Sequence, residues 1–358
     1  MSSICGTLLS NESLIPAQFM RFPLSLSGTL FLYMASMKWS GRKKYPMVLM
    51  LEPLHACNLH CSGCGRIREY ADTMNKRMSL DECLAAVDEC AAPVVSVCGG
   101  EPLIYPEIVE LIAAILNRGK HIYLCTNGVL LEEKLGKFLA VGDKNMKTRL
   151  YWNVHLDGPP PVHDAIVEQN GVFQKAVAGI TAAKQAGFCV YTNTTLYKQT
   201  TVDQLVELAE ILTPLKIDGV MLAPGFGYES VGNESFFLTK SEIHEKFRAI
   251  RTKMAKYRIT TTPIFMDFLC GERNLPCAAY ANPTRNVAGW KGPCYLITDK
   301  HHESYRDLID ETDWTRYGPG NDPRCEHCLS HCGFEPAAVF ACNTLADGIR
   351  MGLWQYGW

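Results

Sequence analysis

From Met47 onward, short apolar runs alternate with longer stretches whose apolar residues recur every three to four positions. The runs Pro46–Leu51, Val94–Val97, His121–Cys125, Leu150–Leu156, Phe188–Thr195 and Gly219–Ala223 predict six buried strands. Between them the periodicity predicts helices: one opened by the capping box Ser79-Leu80-Asp81-Glu82 and running through Cys90, then Pro106–Arg118, Phe173–Gln185 and Thr201–Leu212, with Lys240–Tyr257 after the last strand. Gly119 and Gly187 supply helix stops. Six strands alternating with helices predict a right-handed parallel α/β sheet, closed part-way as a partial (β/α)6 barrel or left open as a doubly wound sheet. Either way, ligands belong at the carboxyl ends of the strands. Beyond about Thr262 the alternation stops, and Pro, Gly, Cys and aromatics dominate. The expected organisation is an N-terminal extension (1–44), an α/β domain (45–262) and a small Cys-rich C-terminal domain (263–358).

The extension contains Phe22–Ser36, apolar but shorter than the ~20 residues a spanning helix needs. Its positive charge follows the apolar stretch (Lys38, Arg42, Lys43, Lys44), the reverse of a secretory signal. The stretch predicts an interfacial helix or a helix packed on the protein's own core. Over the whole 358 residues the net charge is −2 and 20% of residues are charged, which excludes a disordered chain and gives no footprint for nucleic acid. Sixteen cysteines raise the question of disulfides. Their tight clustering in a long chain favours metal and a reducing, cytoplasmic compartment.

The sharpest chemical signal is Cys57-Asn58-Leu59-His60-Cys61-Ser62-Gly63-Cys64, placed directly after the first strand. A fully ligated iron–sulfur cube takes four thiolates, so three leave one iron free to hold another molecule. A zinc site, completed by His55 or His60, is the alternative. This stretch resembles the cluster motif of the radical S-adenosylmethionine superfamily. Cys98-Gly99-Gly100-Glu101-Pro102, after the second strand, resembles that superfamily's GGEP segment. The resemblance implies a partial barrel of the radical SAM type, a [4Fe–4S] cluster on Cys57, Cys61 and Cys64, and S-adenosylmethionine against Gly99, Gly100, Glu101 and Pro102. Asn153, His155 and Asp157 on the fourth strand, and Asn193 and Thr194 on the fifth, sit where ribose or carboxylate would be met, although each residue type is also a common strand-end cap.

Several longer segments narrow the likeness. Tyr45–Leu54, Leu80–Cys90, Tyr123–Asn127, Val154–Gly158 and Asn282–Val287 are similar to the adenosylhopane synthase family of hopanoid biosynthesis. There the 5′-deoxyadenosyl radical adds to the alkene of diploptene and the resulting carbon radical is quenched. The resemblance implies a polycyclic lipid substrate, a one-electron donor of flavodoxin or ferredoxin type, and peripheral attachment to the inner face of the membrane. It makes Cys125, in its Cys125-Thr126-Asn127 setting, the candidate hydrogen donor, with Thr126 and Asn127 beside the cofactor. Read without the resemblance, Cys125 is an ordinary buried strand cysteine. Cys98 departs from the family pattern.

The C-terminal region holds Cys277, Cys294, Cys325, Cys328 and Cys332 in an order resembling SPASM/twitch extensions, which carry auxiliary iron–sulfur clusters. Zinc is the alternative metal. Five thiols exceed one cluster's four, and Cys270 and Cys342 add two uncertain members. Two other functions fit the same motifs: a radical enzyme abstracting hydrogen from a peptide or another lipid, and a non-catalytic iron–sulfur or zinc protein.

Overall fold

The computed structural model describes residues 20–228, 231–232 and 234–357. Helix α1 (Leu24–Trp39) comes first, then β1 (Val48–Leu51), α2 (Gly65–Glu69), α3 (Leu80–Cys90), β2 (Val94–Val97), α4 (Ile108–Asn117) and β3 (His121–Thr126). The middle of the chain supplies α5 (Leu131–Ala140), α6 (Asn145–Arg149), β4 (Leu150–His155), α7 (Pro160–Ile166), α8 (Val172–Gln185), β5 (Cys189–Leu196), α9 (Val202–Leu212) and β6 (Gly219–Pro224). There follow α10 (Lys240–Lys253), α11 (Pro263–Leu269), β7 (Thr284–Asn286), β8 (Gly289–Pro293), β9 (Thr298–His302), α12 (Tyr305–Glu311), α13 (His331–Phe340) and α14 (Leu345–Gln355). The capping box forms as expected: Ser79 N donates to Glu82 Oε2 at 2.7 Å and Glu82 N to Ser79 Oγ at 3.2 Å, worth about 1 kcal/mol.

All strands join one sheet in the order β6-β5-β4-β3-β2-β1-β7-β8-β9. The first six are mutually parallel, as the βα alternation requires. β7 lies parallel to β1, with Met50 opposite Thr284, and β7–β8–β9 then run antiparallel. The expected division at residue 262 is therefore no break in the sheet. The Cys-rich region extends the sheet from β1, the strand that leads into the cluster motif.

Strand alternation sorts the side chains. Leu49, Leu51, Val95, Val97, Ile122, Leu124 and Trp152 pack in the main core with the helices. The intervening residues, among them Ser96, Tyr123, Cys125, Asn153, His155 and Asn193, face the inside of the partial barrel. Helix α1 closes that interior at the amino ends of the strands: its Leu26 and Leu30, with Phe22, pack on Val48, Val94, Tyr123, Tyr151 and Tyr191. Thr29 Oγ1 meets His121 Nε2 at 3.3 Å, and His121 Nδ1 meets the Tyr151 hydroxyl at 2.8 Å. One face of α1 thus packs on the protein's own core while Phe31 and Leu32 stay exposed on the other.

Candidate active site

The loop after β1 carries Cys57, Cys61 and Cys64 over the carboxyl ends of the strands. Cys64 N donates to Cys61 O at 3.1 Å, and Ser62 is tied by both its N (3.0 Å) and its Oγ (2.9 Å) to Ile166 O at the end of α7. Two glycines make this loop possible. A Cβ on Gly63 would meet the Tyr197 ring, and one on Gly65 would collide with the Tyr228 ring, so both tyrosines cover the loop at close range. Burial pushes the Cys57 thiol up to about 11 and, with the nearby Cys64 thiol adding to it, holds Cys61 higher still. All three cysteines are free. Thiols kept protonated by burial release their protons when a metal centre takes them as thiolates.

The second loop is laid directly on the first. Gly100 N donates to Leu54 O at 3.1 Å and Glu101 N to Ala56 O at 2.9 Å. A Cβ on Gly100 would collide with the Ala56 carbonyl, and Gly99 sits at φ +111° against Leu54 O. Glu101 is fully buried, and burial raises its carboxyl to about 7 against the hydrogen bonds it accepts. Those come from Leu103 N (2.9 Å), Thr126 Oγ1 (2.8 Å) and Asn127 N (2.8 Å). Glu101 and Thr126 therefore bolt the loop after β2 to the loop after β3. Pro102 opens the single turn 102–104 that presents Leu103 N. Asn127 Nδ2 reaches Asn58 Oδ1 at 2.8 Å, tying β3 to the cysteine loop.

On β4, His155 Nε2 lies 2.7 Å from Asp157 Oδ2. Burial lowers the imidazole's pKa, but the Asp157 carboxylate outweighs it and the net shift is upward. Asp157 Oδ1 in turn accepts from Thr195 N at 2.8 Å. Asn153 Oδ1 and Asn193 Oδ1 are buried with no hydrogen-bond partner among the described residues. Buried acceptors seldom go unmet, and two of them inside the barrel mouth fit the hydroxyl and ammonium donors of a nucleoside-bearing amino acid. Thr194 departs from expectation. It alternates with Asn193, points to the opposite face, and its Oγ1 donates to Leu156 O at 2.6 Å, so it pins β5 to the end of β4 instead of facing a ligand.

Cys125 lies on the inner face, not in the apolar core. Ser96 Oγ is 3.4 Å from its Sγ and Asn153 Nδ2 is 3.5 Å away. Val97 opposes Leu124 in the β2–β3 register, so Cys98 is the next neighbour of Cys125 on the same side of the sheet. Burial raises both thiols, Cys98 to about 12.

The five C-terminal cysteines converge. Cys277, Cys294, Cys325, Cys328 and Cys332 all line one small apolar cavity of about 30 Å³, together with Phe226 and Phe334. Cys270 and Cys342 are not among its lining residues. Leu296 N and Ile297 N donate to Cys294 Sγ at 3.4 and 3.3 Å. Among the described residues no three His, Cys, Asp or Glu side chains gather tightly enough for a single ion, Cys57, Cys61 and Cys64 included.

Sequence reading missed the residues that couple the two cysteine sites. Glu52, at the end of β1, pairs with the buried Arg66 of α2, whose guanidinium stacks 3.9 Å over the Tyr295 ring. Next to it, buried Lys291 donates to Glu69 (3.1 Å), the Tyr70 hydroxyl (2.9 Å) and Tyr295 O (3.0 Å). Alternation along β1 (Val48, Met50, Glu52) places a carboxylate inside the barrel and was the available signal for Glu52. No spacing in the sequence announces its partner.

A partial parallel barrel with three free thiols over its strand ends defines the radical SAM fold class. Residues 51–212 match the Radical SAM superfamily model, and residues 220–350 match a domain of unknown function, DUF3463. AdoMet-dependent heme synthase of Methanosarcina barkeri is 30% identical over 193 residues, 52% of this chain and 53% of that protein. GTP 3',8-cyclase of Aquifex aeolicus is 26% identical over 289 residues, 75% of this chain and 87% of that protein. Streptococcus suis SuiB bound to S-adenosylmethionine aligns at TM-score 0.59 and 15% identity, over 91% of this chain and 75% of that one, which shows the shared fold. The chain spans about half the length of the first curated relatives it matches. The match over residues 51–212 implies a [4Fe–4S] cluster and S-adenosylmethionine.

Proposed function

We propose that this protein is a radical S-adenosylmethionine enzyme that adds the 5′-deoxyadenosyl group to the alkene of a hopene-type lipid, diploptene, to give adenosylhopane. Cys57, Cys61 and Cys64 would hold the [4Fe–4S] cluster, and Gly99, Gly100, Asn153, His155, Asp157 and Asn193 would line the S-adenosylmethionine site. When bound, the cluster and S-adenosylmethionine supply one-electron cleavage of a carbon–sulfur bond and hence a 5′-deoxyadenosyl radical.

The protein's own residues protect and then quench reactive carbon. Tyr197 and Tyr228 lie over the cysteine loop, and α1 shuts the far end of the barrel, so water is kept out. The observation that carries the addition reading is the setting of Cys125. Its S–H is held on the inner face by Ser96 and Asn153, and burial keeps it protonated. A hydrogen atom passing from Cys125 Sγ to a carbon radical breaks a weaker S–H bond and forms a stronger C–H bond. A low-potential one-electron donor then restores the thiol with a proton. The five-thiol cavity would hold a second cluster.

Incubation of the anaerobic, reconstituted enzyme with S-adenosylmethionine, reductant and diploptene is expected to yield a lipid bearing the adenosyl mass. Release of 5′-deoxyadenosine alone would replace addition by hydrogen abstraction from another substrate.

A further inference from the structure

A helix that is apolar all round needs both faces covered, and α1 has only one covered by its own protein. Of the nine large apolar side chains that stand exposed among the described residues, seven lie on α1 and α14. On α1 they are Leu24, Phe31, Leu32 and Trp39, and Trp39 is 95% exposed. On α14 they are Leu345, Ile349 and Leu353, one turn apart from each other.

The two helices are neighbours. Arg21 N donates to Gln355 O and Arg21 Nε to Trp354 O, both at 2.9 Å. Gln355 Nε2 returns a hydrogen bond to Phe22 O at 2.7 Å, and the Phe22 and Trp354 rings lie 5.7 Å apart. The start of α1 is thereby locked to the end of α14.

Charge identifies the occupant. No charged residue occurs from Leu24 to Met37, and then Lys38, Arg42, Lys43 and Lys44 follow, all exposed and in no ion pair among the described residues. On α14 the two charges are already engaged, Asp347 with Arg273 at 2.9 Å and Arg350 with Asp267 at 2.7 Å. No carboxylate of either helix is left to receive the basic cluster, which a second copy packing on this face would need. An anionic bilayer supplies both requirements: hydrocarbon for the leucines and phenylalanine, and phosphate for the lysines, with Trp39 at the boundary. No helix among the described residues is long and apolar enough to cross a membrane, so α1 would lie in the plane of the surface.

We infer that the α1–α14 face is a docking surface for an anionic lipid bilayer. The inference does not depend on the substrate. Vesicle flotation of the full-chain holoenzyme tests it, comparing phosphatidylcholine with phosphatidylcholine containing phosphatidylglycerol. The expected result is flotation with the anionic vesicles, weakened by salt and reduced about tenfold or more by Phe31→Glu with Leu32→Glu and by Lys43→Glu with Lys44→Glu. S-Adenosylmethionine cleavage should be unchanged in these surface variants, which separates lost docking from lost folding. Brominated lipids should quench the wild type's fluorescence, and Trp39→Phe should remove most of that quenching. Flotation that is absent, that ignores these substitutions, or that appears only after removal of residues 1–19 overturns the inference. So does light scattering that finds a dimer abolished by Phe31→Glu with Leu32→Glu.

Discussion

The two cysteine sites use the same side chain in opposite surroundings. Cys57, Cys61 and Cys64 sit on a loop fixed by glycine contacts and cross-loop hydrogen bonds, with Asn153 and Asn193 offering unmet acceptors nearby. The C-terminal thiols instead line an apolar cavity built by β8, α13 and irregular chain. Three thiols beside unmet polar groups make a centre that must bind something more. Five thiols in an apolar wall make one that can be complete in itself. The difference separates reactivity from stabilisation, although the two sites are joined through Glu52–Arg66 and Tyr295.

The largest expected effect is from Cys61→Ala, which should reduce 5′-deoxyadenosine formation to background while leaving in place the iron that the proposed second cluster would bring to the C-terminal cavity. Retained cleavage would move the reactive centre elsewhere. By contrast, Cys328→Ala should remove the second portion of iron and lower Tm by about 5 °C or more, yet keep S-adenosylmethionine cleavage measurable. Iron analysis and thermal melts of the pair read this contrast directly. Next, Cys125→Ala should cut the adenosyl–lipid adduct about 100-fold with cleavage of S-adenosylmethionine within about tenfold of wild type. Equal loss of both would make Cys125 a structural residue. Gly100→Ala forces a methyl group into the Ala56 carbonyl and should cost about 1–3 kcal/mol, seen as a lower denaturation midpoint.

The smallest effect concerns His155. Its folded pKa stands above the ordinary 6.5 because of Asp157. The pairing therefore contributes full stability below pH 6.5 and loses it as pH rises through the folded pKa. The stability advantage of wild type over His155→Gln should shrink from pH 6 upward, by about 1 kcal/mol or less in total. An advantage that grows with pH would reverse the assignment.

Much of the fold was legible in the sequence. Runs such as Val94–Val97 gave strand bounds because parallel strands buried on both sides must be continuously apolar. The reactive motif was legible because its ligands are close in sequence. Helix α5 was missed, with Gly136 interrupting its pattern, and α7 was missed because Pro159, Pro160 and Pro161 read as loop. The C-terminal cysteines could be named but not shown to meet, since Cys277 and Cys332 are brought together only by tertiary packing. Sequence spacing alone did not settle how α1 divides its faces between barrel and exterior.

The α1 stopper has a consequence for traffic. With the amino ends of the strands sealed by Leu26, Leu30 and Phe22, the inner face is left to be reached from the end that carries the cysteine loops. Whatever enters must leave by the way it came, in reverse order of arrival. The polycyclic lipid proposed above would go in double-bond end first, and the finished adduct would withdraw through the same opening.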